Sequence, residues 1–293
     1  MNKMHFSLVV ATINRYKELE KLLDSLVNQT YQDFEVIVVD QNNDDRLSGL
    51  INRFALQLHI THIVTKIKGA SHARNIGTER SKGDIISYPD DDCEYPETLL
   101  QDIAALFAKN ADIDVISVSS KDKHGEGKIA RLGNTRRKVT KYNVLWSCIE
   151  FGIFAKSECF REVKFDEDMG VGAYSPWWSD EGADLVMQML DRHKVVCYFP
   201  DVFIYHPDPV KNYDRKAIVR SFRYGCGRGY FLQKHNYNFA FVLYVWGLYV
   251  VGILLSVFKL NTAKASYYFY GLKGRVLGYF QLKEAIKRTL DCL

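Results

Sequence analysis

Residues 85–92 read IISYPDDD, a short apolar run followed by three consecutive carboxylates. The apolar residues predict a buried strand, and the aspartates stand directly after its end. Carboxylate oxygens are hard ligands, which suit Mg²⁺ or Mn²⁺ better than zinc or copper. The stretch therefore predicts a divalent-metal site at a strand end; the alternative is a solvated acidic turn.

Apolar runs of strand length recur on both sides of this stretch, at residues 6–11, 34–39, 60–64 and 115–118. Leucines at helical spacing follow the first run, and a second amphipathic pattern follows the aspartates. Strands that alternate with helices favour a Rossmann-like α/β fold, with a mostly parallel sheet covered by helices on both faces. Ligands of such sheets bind beyond the carboxyl ends of the strands, where the sequence places Thr12, Asn14, Asp40 and the aspartates.

Composition and charge restrict the class of protein. The hydrophobic share of 47% is typical of a globular chain, and the formal net charge of +4 is too small to require a nucleic-acid partner. The 6 cysteines show no metal-type spacing, and the first residues show no export signal. We therefore expect reduced thiols, a cytoplasmic location and no nucleic-acid partner.

The C-terminal part of the chain differs in composition. Residues 121–141 are rich in Gly, Lys and Arg and predict a loop, and residues 215–234 form a basic stretch. Residues 239–258 are uncharged and apolar, close to the roughly 20 residues that a bilayer-spanning helix needs. Basic residues flank this run on both sides, so charge favours neither orientation. The pattern predicts a helix that lies in or dips into the membrane interface; a true span and a helix buried against a partner are the alternatives.

Several motifs occur in a fixed order along the chain: ATINR at 11–15, VVDQN at 38–42, GASHARNIG at 69–77, DDD at 90–92, DEDMGVGA at 166–173 and YHP at 205–207. With these motifs in this order, the chain resembles the inverting glycosyltransferases of family 2, which have the GT-A fold. Within that family it resembles the enzymes that build bacterial surface polysaccharides. The resemblance implies a glycosyltransferase domain over residues 1–210. Its nucleotide-binding half would cover about 1–120 and its acceptor half about 121–210, with a basic and apolar helical membrane-associating region at 211–293.

The resemblance also implies roles for individual residues. The nucleoside pocket, the base edge and the remaining donor contacts would involve Thr12, Asn14, Arg15, Asp40, Gln41, Gly69, Arg74 and Asn75. Asp90 and Asp91 would contact the ribose or the sugar. Asp92 would bind the metal, Mn²⁺ or Mg²⁺, with Asp90 and His206 as further ligands; a purely structural role for the histidine is the alternative.

The catalytic base of this family usually comes from an acidic pair at the start of a helix, which here corresponds to residues 179–185. Gly182 falls where the second acid of the pair is common. Glu181 is the first candidate for the base, with Asp180 and Asp184 as alternatives. All three acids could instead only stabilise the helix N-terminus, in which case the chain would bind donor without turning it over.

The predicted function is transfer of a sugar from a nucleotide-sugar donor, a UDP-sugar, to a saccharide acceptor carried on a lipid. The reaction would take place at the inner face of the cell membrane, during surface polysaccharide synthesis. A sugar-nucleotide nucleotidyltransferase is an alternative, but it requires a glycine-rich loop after the first strand, and residues 11–16 contain no glycine. A non-catalytic sugar-nucleotide-binding subunit is the third possibility.

Overall fold

The computed structural model describes residues 4–123, 132–207 and 212–293. These residues form two compact units, which are described separately. The first lies within Met1–Asp166 and Gly182–Asp208, and the second within Glu167–Glu181 and Pro209–Leu293. The predicted domain boundary at 210/211 and residues 124–131 of the predicted loop at 121–141 lie outside the described residues, and residues 137–138 of that loop form a short strand. The proposed division into domains therefore stays a prediction.

The described residues of the first unit form an eight-stranded sheet with the order β3-β2-β1-β4-β7-β5-β8-β6. The strands are β1 (Phe6–Thr12), β2 (Phe34–Asp40), β3 (Ile60–Val64), β4 (Ile85–Ser87), β5 (Val115–Lys121), β6 (Arg137–Lys138), β7 (Ile153–Lys156) and β8 (Val196–Tyr205). The helices of this unit are α1 (Tyr16–Val27), α2 (Ser48–Phe54), α3 (Ala70–Arg80), α4 (Leu99–Lys109) and α5 (Glu181–Asp191), whose first residue belongs to the second unit. The predicted α/β architecture is confirmed.

The sheet is parallel around its first strands and mixed beyond them. β1 pairs in parallel with β2 and β4, β2 with β3, and β5 with β8. β7 lies antiparallel between β4 and β5, and β6 is antiparallel to β8. No sequence pattern predicts β7, because Ile153–Lys156 is too short to show a period.

Burial of apolar side chains stabilises β1, β2 and the helices that pack on them. Almost every residue of β1 and β2 is buried, as expected for strands covered on both faces. α1 packs on this core with its regularly spaced leucines, all of which are buried: Leu19, Leu22, Leu23 and Leu26. α3 packs closely on β1 at Gly77, where a Cβ would overlap the side chain of Val9. This close packing fixes the glycosyltransferase-like motif at residues 69–77 against β1.

The parallel register brings polar strand ends together. Thr12 at the end of β1 is the register partner of Asp40 at the end of β2, and the aspartates at 90–92 follow β4 on the other side of β1. The end of β8 joins this edge through an antiparallel bridge. In it, Glu94 N donates to Tyr205 O at 2.9 Å and Tyr205 N donates to Glu94 O at 3.0 Å. The bridge places His206 beside the aspartates.

The second unit is helical in its C-terminal part, with α6 (Arg215–Lys234), α7 (Phe239–Phe258), α8 (Thr262–Tyr279) and α9 (Lys283–Cys292). α6 and α8 pack through glycines on both helices, such as Gly225 and Gly274, whose Cβ positions would overlap the facing backbone. α7 covers the predicted range 239–258, and one side of it is exposed and apolar. It is long and apolar enough to cross a membrane.

Candidate metal and nucleotide-sugar site

Asp90, Asp92 and His206 form a candidate metal centre. A carboxylate oxygen from each aspartate and a ring nitrogen of the histidine lie within 4.8 Å of one another. His206 Nε2 is 3.2 Å from Asp92 Oδ1 and 3.9 Å from Asp90 Oδ2. Two hard oxygens and one imidazole nitrogen suit Mn²⁺ or Mg²⁺. The residues that the sequence predicted as metal ligands are therefore adjacent in the fold.

The ring of His206 is held in an orientation that suits metal binding. Its Nδ1 is 2.7 Å from Pro207 O, to which it donates, and the ring stacks on Phe151 with centroids 4.7 Å apart. Nε2 hydrogen-bonds Asp92, and once it gives up that proton its lone pair would face a metal held by the carboxylates, the usual arrangement of a metal-ligating histidine. Burial lowers the pKa of His206, but the hydrogen bond and charge of Asp92 outweigh burial and raise it.

Two arginines neutralise the carboxylates on their other side. Arg74 Nη2 donates to Asp90 Oδ1 at 2.7 Å, and Arg15 donates to Asp92. Burial alone would raise the pKa of Asp92, but the hydrogen bond and charge of His206, together with Arg15, lower it to about 2. Asp92 is therefore held as a carboxylate, the form that binds a cation.

Asp91 contacts Thr12 at the end of β1 and shares Arg15 with Asp92. Its Oδ2 accepts a hydrogen bond from Thr12 Oγ1 at 2.8 Å, and its Oδ1 lies 3.7 Å from Arg15 Nε. Burial raises the pKa of Asp91 to about 7, and the charge of Arg15 opposes this rise. Asp91 thus connects the aspartate cluster to the end of β1.

The predicted base-edge residues are engaged in internal contacts. Asp40 is 1% exposed, and its Oδ1 accepts hydrogen bonds from Asn42 N at 2.8 Å and Asn42 Nδ2 at 2.7 Å. Gln41 Oε1 accepts from the backbone N–H of Gly69 at 2.8 Å. Asn14 N donates to Asn42 Oδ1 at 2.8 Å. These contacts fix the loops after β1, β2 and β3 relative to one another, and direct contact with a base stays a prediction.

Asn75 also has a clear structural contact. Its Nδ2 donates to Phe165 O at 3.0 Å, and its Oδ1 accepts from Phe165 N at 2.9 Å. This pair of bonds holds the segment before residue 166 against α3. The motif predicts that Asn75 lies near the donor. In the fold its amide also holds the backbone of Phe165 against α3.

The three candidate bases lie in different surroundings. Asp180 accepts two hydrogen bonds from Arg228, at 2.7 Å each. Asp184 is fully buried and its Oδ2 accepts from Gln188 Nε2 at 2.9 Å. Glu181 is the first residue of α5. Glu181 and Asp184 both lie in the first turn of α5, and Asp180 directly precedes it.

Gly182 departs from the family pattern for a steric reason. A Cβ at this position would lie 2.7 Å from Glu150 Cβ and 2.9 Å from Glu150 N. A second acidic residue therefore has no room at this point of α5. The sequence could not reveal this, because Glu150 contacts Gly182 only through the fold.

We expect the Gly182→Ala variant to lose about 1–3 kcal/mol of unfolding free energy, because its methyl group overpacks the contact with Glu150. The measurement is urea-induced unfolding of the full chain. The matched control is Gly49→Ala on α2, where a Cβ meets nothing within 4 Å; its stability should be unchanged or slightly higher. Equal stabilities for the two variants would contradict the steric explanation.

The sheet, the strand-end aspartates and the nearby histidine define a GT-A-type transferase fold with a candidate metal site. The family model described as glycosyl transferase family 2 matches residues 7–164, more than half of the chain. The chain belongs to this glycosyltransferase family. The predicted GT-A fold and family are thereby confirmed.

Curated relatives match parts of their own length. Poly(ribitol-phosphate) beta-N-acetylglucosaminyltransferase TarS of Staphylococcus aureus is 30% identical over 128 residues, which are 42% of this chain and 22% of that protein. Amylovoran biosynthesis glycosyltransferase AmsB of Erwinia amylovora is 28% identical over 182 residues, 57% of this chain and 60% of that protein. The chain thus matches less than two thirds of either relative.

Solved structures share the fold over almost the whole chain. The mannosyltransferase PcManGT from Pyrobaculum calidifontis, in complex with GDP-Man and Mn²⁺, has a TM-score of 0.68 at 16% identity, covering 96% of this chain and 88% of that one. S. aureus TarS 1-349 in complex with UDP-GlcNAc has a TM-score of 0.59 at 17% identity, covering 96% and 93%. At these identities the similarity establishes the fold.

Proposed function

We propose that this glycosyltransferase is metal-dependent and inverting, and that it moves a sugar from a UDP-sugar to a lipid-linked saccharide during surface polysaccharide synthesis. The observation that carries the proposal is the convergence of Asp90, Asp92 and His206 at the carboxyl edge of the sheet. This edge is where sheets of this kind bind nucleotides.

The candidate metal centre would hold Mn²⁺ or Mg²⁺, which would neutralise the charge that develops on the leaving nucleoside diphosphate. Arg15 and Arg74 keep Asp92 and Asp90 in place from the opposite side. The hydrogen bond from His206 Nδ1 to Pro207 fixes the ring so that Nε2 faces the carboxylates. The protein thus supplies ligands whose orientation is set before any ion binds.

Glu181 is the proposed general base. Inversion needs one carboxylate to take the proton of the acceptor hydroxyl as that oxygen attacks, with no covalent intermediate. Asp180 is paired with Arg228, which favours Glu181 over it, and the position of Glu181 in the family motif favours it over Asp184; Asp184 is fully buried and Glu181 is 4% exposed. We therefore assign proton removal to Glu181 and a structural role to Asp184.

The relatives support the donor and the pathway that we propose. TarS structures contain UDP and UDP-GlcNAc, and AmsB acts in amylovoran biosynthesis by its name. The structure of PcManGT contains GDP-Man, so a GDP-sugar is the second candidate donor. Membership of the glycosyltransferase family argues against the nucleotidyltransferase alternative.

The proposed function is tested by a donor screen. Purified full-length protein would be incubated with a panel of UDP- and GDP-sugars, Mn²⁺ and membrane extract as acceptor source, and release of UDP or GDP would be measured. We expect turnover with one UDP-sugar, and we expect this turnover to require the membrane extract. Donor binding without any turnover would instead support a non-catalytic sugar-nucleotide-binding subunit.

We also propose that α7 associates with the cytoplasmic face of the membrane. Its buried residues, such as Val242, Val245 and Ser256, recur on one side of the helix, whereas Leu254 and Phe258 are 63% and 86% exposed. An apolar helix with one side packed and the other open fits a bilayer interface. Lys and Arg residues on both flanks suit anionic headgroups.

The double variant Leu254→Glu/Phe258→Glu should bind vesicles at least about a hundredfold more weakly, since each buried side chain of this size contributes about 1.5–3 kcal/mol. Co-sedimentation with vesicles containing anionic lipid measures this. Leu56→Glu is the control, because Leu56 is an 86% exposed leucine of the first unit. Equal loss in the control, or no loss in the double variant, would contradict binding through α7.

A further inference from the structure

A bidentate ion pair within the second unit joins α6 to the segment that precedes α5. Arg228 Nε and Nη2 each lie 2.7 Å from a carboxylate oxygen of Asp180. The side chain of Asp180 is 9% exposed, so most of the pair is shielded from water. Two parallel N–H···O bonds fix direction as well as distance. The carboxylate of Asp180 is therefore held in one orientation.

The residues just before Asp180 also contact α6. Ser179 Oγ donates to Tyr224 O at 2.8 Å, and the guanidinium of Arg223 lies 3.8 Å from the ring centroid of Trp178. Trp177 stacks on the ring of Tyr230, with centroids 4.8 Å apart and the planes parallel. Each residue from 177 to 180 thus has its own contact with α6.

A glycine of α6 makes this close approach possible. A Cβ at Gly227 would lie 2.5 Å from Ser179 Oγ and 2.6 Å from Ser179 N. Asp180 itself has a φ of 66°, in the left-handed region that is uncommon for residues other than glycine. Such a conformation persists where its surroundings determine it, and the pair with Arg228 supplies that constraint.

We propose that Arg228 is a positioning residue for the catalytic base. Through Asp180 it fixes the turn that directly precedes Glu181, the first residue of α5. The inference rests on the proposed function, in which Glu181 is the base. It changes the role of Asp180, which was an alternative base, to that of the group on which Arg228 acts.

The test measures kcat and donor KM for Arg228→Met, Asp180→Asn and the double variant, all as full-length protein with the acceptor extract. We expect each single variant to lose about a hundredfold in kcat, since small misplacement of a reacting group has effects of this size. Donor KM should stay unchanged. The double variant should be no slower than either single variant, because both break the same contact.

Two further variants separate positioning from general stability. Arg228→Lys retains the charge without the bidentate geometry, so it should recover only part of kcat. Arg220→Met is the matched control on α6, where Arg220 lies over the ring of Tyr224, and it should keep wild-type kcat. Hydrogen exchange should rise in a peptide covering residues 175–181 of Asp180→Asn, with the sheet unaffected.

The results that would overturn the positioning role of Arg228 differ from those that would overturn Glu181 as the base. If Arg228→Met and Asp180→Asn keep wild-type kcat well below their melting temperatures while Glu181→Gln is inactive, the base stands and the positioning role is wrong. If Glu181→Gln keeps its kcat, both assignments are overturned. Additive losses in the double variant would also overturn the positioning role. Should Arg228→Met fail to fold, the near-isosteric Asp180→Asn carries the same comparison.

Discussion

Replacing Asp92 by alanine is expected to lower kcat/KM for the sugar donor on the order of a thousandfold, since a catalytic metal contributes several kcal/mol to the transition state. Asp92 lies 3.2 Å from His206 Nε2 and its pKa of about 2 keeps it ionised. Without it, Asp90 and His206 remain as an incomplete ligand set. Initial rates of nucleotide release at several Mn²⁺ concentrations measure the effect.

We expect Asp92→Ala to remain folded, so that its loss of activity reports on the site. The side chain of Arg15, which pairs with Asp92, is 44% exposed and can be solvated when its partner is removed. Asp112→Ala is the control, because Asp112 is an exposed carboxylate outside the site. We expect it to keep wild-type turnover. Full activity of Asp92→Ala would exclude this aspartate as a metal ligand.

Glu181→Gln should lower kcat by about a hundredfold to ten-thousandfold, which is the usual contribution of a general base. The substitution retains size and hydrogen-bonding capacity and removes the proton acceptor. Donor KM should change little, since the amide still fills the same space. Steady-state rates at saturating donor and acceptor give this comparison.

Glu162→Gln is the control for this substitution, because Glu162 is 75% exposed and pairs with Arg192 at the surface. It should be as active as the wild type. If Glu181→Gln were equally active, the base would have to be another carboxylate. Asp184→Asn would then be the next variant to measure, since the pair with Arg228 occupies Asp180.

Much of the fold follows from hydrophobic patterning. The runs at 6–11 and 34–39 correspond to β1 and β2, because buried parallel strands are continuous apolar segments, and the weaker run at 60–64 corresponds to the partly exposed edge strand β3. The helix predicted over residues 239–258 matches α7, since an uncharged apolar run of this length is typical of a single long helix. The short strand β7 has no such pattern, and only its partners β4 and β5 define it.

The candidate site was predictable where residues stand at strand ends. The sequence placed Thr12 and the aspartates at one edge, and Thr12 indeed donates to Asp91. It also singled out His206, but it contained no sign of Phe151, which stacks on that ring. The contact between Phe151 and His206 depends on tertiary structure, which periodicity does not encode.

The acids around Glu181 show a second limit of sequence reasoning. The motif placed Glu181 ahead of Asp180 and Asp184, and the fold adds a partner for Asp180 from elsewhere in the chain. Asp180 pairs with Arg228, which the sequence had marked only as part of a basic stretch. Gly182 is explained by Glu150, a contact with no counterpart in any motif.

We expect donor turnover to depend on a divalent ion held by Asp90, Asp92 and His206. The most direct measurement is sugar-donor turnover by the wild-type chain after EDTA treatment, followed by titration with Mn²⁺ or Mg²⁺. We predict that EDTA abolishes turnover, that either ion restores it, and that Asp92→Ala is not restored at the same ion concentration. Turnover that persists unchanged in EDTA would contradict the account.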